Sequence, residues 1–102
     1  MDQQVRQKTI KEKRFSIIMA AYNIEDYIQR AIESVENQNF KDIELIIIND
    51  CSTDKTEEKI LEECNKYNNI IYLSHKENKK AGGARNTGLK VANGEYIVFL
   101  DG

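Results

Sequence analysis

Residues Ile43 to Asp54, IELIIINDCSTD, run apolar for the length of a strand and then break into polar and acidic side chains. Ile43, Leu45, Ile46, Ile47 and Ile48 do not alternate with polar residues, so the strand is predicted to be buried on both faces, as parallel strands sheltered by helices are. Asn49 and Asp50 arrive where that strand leaves the sheet. In open α/β sheets the ligand crevice lies just outside the carboxyl ends of the strands, which makes Asp50 a candidate ligand-binding carboxylate. The competing role for Asp50 is to turn or cap the following loop.

The pattern repeats outward from this stretch. Phe15 to Ala21 (FSIIMAA), Ile70 to Leu73 and Glu95 to Leu100 (EYIVFL) are three more short apolar runs. Between the first two strands, Ile24, Tyr27, Ile28, Ala31, Ile32 and Val35 recur at helical spacing, with Asn23 as N-cap and Glu25 and Asp26 in the first turn. Asp54 and Glu57 have the spacing of a capping box opening a second helix, with Ile60, Leu61, Cys64 and Tyr67 as its stripe and Glu63 among the residues facing water. A third helix carries Ala84, Gly88, Val91 and Ala92 on one side, and Gly94 reads as its left-handed cap. The βαβαβαβ order predicts an α/β fold, three layers deep, with helices on both faces of a mostly parallel sheet. Tyr22, Asn23, Asn49, Asp50, His75 and Asp101 then fall at strand ends on one rim. The connection His75 to Lys80, HKENKK, has no hydrophobic anchor and is expected to be mobile near any ligand.

Totals narrow the function. The chain has 102 residues, enough for one domain, with 40% hydrophobic and 31% charged residues. No apolar run approaches the roughly 20 residues of a membrane span. A net charge of −2 argues against nucleic acid as a partner. Cys51 and Cys64 have neither zinc spacing nor a disulfide-rich setting, and no signal peptide precedes them, which favours a reducing cytosol. Residues 1–14 form a flexible basic extension in this reading, either a solvated tail or a peripheral contact with an anionic membrane surface.

Ligand classes fall away in turn. The turn after the first strand is Ala20-Ala21-Tyr22-Asn23, without the glycines that admit a dinucleotide pyrophosphate, and no GxxxxGK[ST] loop is present. A receiver domain would place its acidic pair where Tyr22-Asn23 stands. What is left is a nucleotide held by carboxylates at strand ends.

FSIIMAAYN, IELIIINDCSTDKT, ARNTGL and GEYIVFLDG, in this order, resemble the nucleotide-binding half of family 2 glycosyltransferases of the GT-A fold, from Phe15 to Gly102. The resemblance implies a Rossmann-like half of that fold, with Ala20, Ala21 and Tyr22 beside the nucleobase. It implies that Asp50 accepts a hydrogen bond from a base ring nitrogen, usually of uracil. Because an ionised carboxylate only accepts, that role suits a base edge offering N–H. Arg85 would stand in the donor site, or else form a salt bridge to Asp50 or a plain surface charge. Asp101 would be the first acid of a DxD motif, holding Mn²⁺ or Mg²⁺ against the donor diphosphate, or else a strand-terminal Asp without metal. The implied partners are a nucleotide-sugar donor, foremost a UDP-sugar, and a saccharide or lipid-linked acceptor. The implied setting is bacterial surface polysaccharide synthesis, in the cytoplasm or at the inner face of the membrane.

The second acid of the motif, the acceptor region and the catalytic base would lie beyond Gly102. No catalytic residue is therefore expected within this stretch, which reads as a donor-binding portion truncated at the motif and inactive alone. Its fourth strand would be left as an edge, so a homo-oligomer is expected. The alternative is a non-catalytic nucleotide-binding or protein-interaction module of the same fold, suggested by that truncation and by Asn49 in place of the family's first acid. Other departures are Cys51 for a common Gly, Ala20 for a common Pro, and Lys79-Lys80 where glycines are frequent.

Overall fold

Seven successive residues of β2 (Ile43–Asn49) are buried, and the strand lies between two parallel neighbours, β1 (Phe15–Ala21) and β3 (Ile70–Ser74). β4 (Tyr96–Asp101) pairs in parallel with the other side of β1, giving the order β3-β2-β1-β4. The computed structural model describes residues 14–38 and 42–101, the last through its backbone alone. Strand pleating sends alternate side chains to opposite faces. Met19, Ala21, Leu45 and Ile47 meet Ile28, Ile32 and Val35 of α1 (Ile28–Glu36) and Ile60 of α2 (Thr56–Lys66). Ile18, Ile46 and Ile48 turn the other way, onto Ala84 of α3 (Lys80–Val91). The architecture is the three-layer α/β sheet that the alternation of strands and helices predicts.

Two glycines set close approaches. A Cβ on Gly88 would stand 2.6 Å from Ile18 Cγ2, so α3 rests on the sheet only because that side chain is absent. A Cβ on Gly94 would stand 2.6 Å from the Ser16 backbone nitrogen. Gly94 does not take the left-handed conformation predicted for it, since no described glycine has positive φ and the helix closes on an extended Ala92. Its smallness is used to press the turn before β4 against the start of β1.

Helix starts differ from the sequence expectations. α1 begins at Ile28, because Asn23 takes φ 50° and spends its side chain across the loop on the Thr53 backbone N–H at 2.8 Å. Glu25 and Asp26 therefore precede the first turn, and Tyr27 is 59% exposed, outside the buried stripe. α2 begins at Thr56; Asp54 accepts from its N–H at 3.0 Å, but no reciprocal capping box forms, since Glu57 takes the Tyr72 hydroxyl at 2.8 Å. Leu61 of the expected stripe is largely exposed, whereas Glu63, expected in water, is fully buried between Lys66 and Gln29.

Of the basic extension, residues 1–13 lie outside the described residues. Arg14 is tied down: its N–H donates to the Asp42 carbonyl, and its own carbonyl accepts from Tyr96. Its guanidinium lies over the Phe15 and Tyr96 rings. β4 is an edge, with Tyr96, Ile97, Val98 and Phe99 all substantially exposed. Among the described residues no helix is long and apolar enough to cross a membrane.

Candidate functional site

The strand order places β2 and β3 on one side of β1 and β4 on the other, so connections diverge at the carboxyl end of β1, the place where open sheets hold ligands. A cleft of about 300 Å³ lies there. Ala20, Ala21 and Tyr22 from the end of β1 line it, together with Asp50 from the end of β2. These are four of the six residues singled out in the sequence.

Asp50 is held from several directions. Its backbone N–H donates to the Ala21 carbonyl at 2.8 Å, locking the two strand ends together. Its Oδ1 accepts from the Lys79 N–H at 2.8 Å and lies 2.8 Å from Nδ1 of His75. Both of these bonds fall on Oδ1, and the Lys80 N–H also approaches the carboxylate. Burial pushes the carboxyl pKa up, but the Lys79 N–H, then His75 and the nearby Lys80 N–H, outweigh that effect and hold it below the ordinary carboxylate value. Asp50 therefore presents an ionised, anchored carboxylate with an acceptor to spare.

The loops around it are knitted together. Ser52 Oγ accepts from the Asn23 N–H, Thr56 Oγ1 from the Ile24 N–H, and Glu25 Oε1 from the Lys55 N–H, at 2.9–3.0 Å. Asp54 accepts from both the N–H and the hydroxyl of Thr56. Burial raises the Asp54 pKa, and the Thr56 bonds overcome that and lower it. Its chemistry is spent inside the fold, in keeping with a capping role and not with the cleft. The same is true of Asn49: its amide donates to the Tyr72 hydroxyl at 3.0 Å and its carbonyl accepts from the Ser52 N–H at 3.1 Å. Asn49 is not among the residues that line the cleft.

The connection that has no hydrophobic anchor, and is expected from the sequence to be mobile, has polar anchors. Besides Lys79 and His75 on Asp50, the Lys76 carbonyl accepts from the Cys51 thiol at 3.5 Å, and Asn78, Lys80 and Ala81 line the cleft. Cys51 and Lys80, two of the positions noted as replacing glycine, take φ of 68° and 67°. Both stand in the left-handed region that glycine occupies without cost.

Arg85 and Asp101 stand apart from these four. Arg85, on α3, is not among the cleft-lining residues; its guanidinium lies 5.7 Å from the Phe99 ring centroid, and the side chain hydrogen-bonded to Asp50 is His75. Asp101 is placed through its backbone, in register with Ala20, beside the cleft. Among the described residues no three His, Cys, Asp or Glu side chains gather as metal ligands, so these side chains do not by themselves make a site for Mn²⁺ or Mg²⁺. Sequence reasoning placed the connection His75 to Lys80 near any ligand without singling out Asn78 or Lys80 as lining residues, and it passed over Ala81, because their approach to the cleft depends on a turn with no apolar signal. It noted His75 as a polar strand end and as the start of that connection, but gave it no role on Asp50; its position there was the available signal.

The family model described as Glycosyl transferase family 2 matches residues 16–102. The chain is 49% identical over 89 residues to the minor teichoic acid biosynthesis protein GgaB of Bacillus subtilis (strain 168), covering 85% of this chain and 10% of that one. It is 48% identical over 86 residues to the Escherichia coli UDP-Glc:alpha-D-GlcNAc-diphosphoundecaprenol beta-1,3-glucosyltransferase WfaP, covering 84% of this chain and 34% of that one. The crystal structure of S. aureus TarS in complex with UDP superposes with a TM-score of 0.79 and 35% identity, over 86% of this chain and 27% of that one. The chain thus spans between 10% and 34% of the length of these curated relatives.

Proposed function

Since the chain belongs to glycosyl transferase family 2, we propose that residues 15–102 are the donor-binding part of an enzyme that takes a sugar from a nucleoside diphosphate, UDP foremost, to a saccharide or lipid-linked acceptor. The relatives named for teichoic acid and lipid-linked glycan synthesis support bacterial surface polysaccharide as the setting, with the cytoplasmic side of the membrane as its place.

The observation that carries the proposal is Asp50 on the cleft wall, its carboxylate ionised and fastened through Oδ1 by His75 and the Lys79 N–H. Such an oxygen suits a base edge offering a ring N–H. Tyr22, 48% exposed, offers a ring face for the base to stack on. Asp101, at the end of β4, is the carboxylate proposed to meet the ribose and, with the diphosphate, a Mn²⁺ or Mg²⁺ ion that would offset charge on the leaving group. Arg85 is proposed as a donor-site cation only in the assembled enzyme.

Calorimetric titration of UDP with and without Mn²⁺, into wild type and Asp50→Ala, tests this. Binding that Asp50→Ala weakens at least about tenfold is the expected result. No binding by a folded wild type defeats it. An interaction module that keeps the fold without chemistry is favoured by a different observation, the exposed apolar residues of edge strand β4, and it calls for self-association of the chain through that strand. A clean monomer by light scattering removes that alternative.

A further inference from the structure

His75 is 7% and Asp50 5% exposed at the side chain, and the two are joined at 2.8 Å through Nδ1. The other ring nitrogen is also engaged: Nε2 lies 2.8 Å from Oγ1 of Thr87 on α3, and that hydroxyl lies 3.1 Å from the Gly83 carbonyl one turn back. None of this is needed to hold the sheet together, because β2 and β3 are already paired from Leu45 to Asn49. The groups form a line from a helix, through a ring, to Asp50 at the end of β2 on the cleft wall.

Proton bookkeeping gives the line a direction. An ionised Asp50 can only accept, so Nδ1 must carry the proton that lies between them. With Nδ1–H thus fixed, a neutral ring has a bare Nε2, which only accepts, and the Thr87 hydroxyl donates to it. In the cationic ring Nε2–H donates to Thr87, and the hydroxyl turns to the Gly83 carbonyl. Thr87 serves either state, and in both the Nδ1–H of His75 points at Oδ1 of Asp50.

The geometry points to His75, oriented by Thr87, as the positioning residue that sets base selectivity: by occupying Oδ1 it holds Oδ2 toward the base, so that a ring N–H is preferred to a bare ring nitrogen. This rests on Asp50 being the base-contacting carboxylate. Uracil offers N–H at ring position 3, whereas cytosine offers a lone pair there, which would face a carboxylate lone pair. Without His75 the carboxylate keeps only backbone N–H donors and loses the side-chain bond that fixes its last torsion, so the distinction between the two bases fades. Ring orientation by a second hydrogen bond is the same physics that aligns metal-bound and catalytic histidines.

UDP and CDP titrated calorimetrically into wild type, His75→Phe and Thr87→Val test this. Wild type is expected to prefer UDP. His75→Phe is expected to lower UDP affinity by about tenfold and Thr87→Val by less than that, both leaving CDP affinity nearly unchanged. Equal losses for both nucleotides, or none, overturn the inference and leave His75 a structural residue. If wild type binds neither nucleotide, the nucleotide proposal fails first and this one with it, an outcome visible before any variant is compared. A second measurement needs no variant: nitrogen-15 shifts of the His75 ring in wild type should show Nδ1 protonated. The Nε2–H tautomer with a bare Nδ1 would overturn the assignment.

Discussion

Glu44 and Asp50 are carboxylates at opposite ends of β2, both nearly excluded from solvent, with opposite roles. At the amino end, Glu44 Oε2 accepts from the Ser16 hydroxyl at 2.5 Å and from the Asn93 N–H at 2.6 Å, and Ser16 Oγ in turn accepts from the Gly94 N–H at 2.7 Å. That carboxylate clasps β1, β2 and the turn before β4. At the carboxyl end the loops diverge, and Asp50, though anchored by His75 and the Lys79 N–H, lines a cleft. Burial, charge and the number of donors alone do not separate a structural acid from a ligand-binding one. What separates them is place: Glu44 lies where the starts of β1 and β2 and the turn before β4 converge, whereas Asp50 lines a cleft.

Breaking the clasp should have the largest effect on stability. Glu44→Ala leaves the Ser16 hydroxyl and the Asn93 N–H without their acceptor and should cost about 3 kcal/mol in urea denaturation, with UDP affinity of the folded fraction unchanged. Asp50→Asn should reverse that pattern. Its amide oxygen can still accept from His75 and Lys79, so stability should fall by less than about 1 kcal/mol, while the amide N–H₂ turned to the base should cost about 2 kcal/mol of UDP affinity, measured by calorimetry. Equal stability losses from both substitutions would erase the contrast.

Acid sharpens it further. The Asp50 carboxyl has a folded-state pKa below its ordinary 3.8, so its contribution to stability is complete above that value and is lost as pH falls through the lower folded value. The stability gap between wild type and Asp50→Asn should thus be constant near neutrality and close below about pH 4 in denaturation midpoints. The smallest effect belongs to the loop beside the acid. Cys51→Gly relieves a left-handed backbone at a non-glycine residue and should raise stability by up to about 1 kcal/mol, net of the greater freedom of glycine in the unfolded chain. A loss of stability there would mean that the thiol contact with the Lys76 carbonyl outweighs the strain.

The layers and the strand ends were legible because Leu45, Ile46, Ile47 and Ile48 leave no polar face, and a run buried on both sides needs a parallel sheet covered by helices. Asp50 was legible for the same reason, since its place follows from where the run stops. Local signals failed where side chains found distant partners. Asn23 looks like a helix cap, yet it bonds to Thr53, 30 positions away. Glu44 is hidden in an apolar run because its donors lie 28 and 49 positions off. Glu63 shares the face of Thr56 and Ile60 by spacing, but its charge argued for water, and only Gln29 and Lys66 explain its burial. His75 needed both β2 and α3 in place before its ring had anything to join.

The press of Gly94 against Ser16 has a consequence for the order in which the chain can fold. The hydrogen bond between them spans 78 positions, and it sits at the root of the pairing that sets Phe15 opposite Tyr96. β1 can pair early with β2, which is nearer in sequence, but it must keep its other edge open until β4 arrives. Closure of that pair carries the longest loop in the sheet and belongs late in folding, which makes the first strand of the chain among the last to be completed.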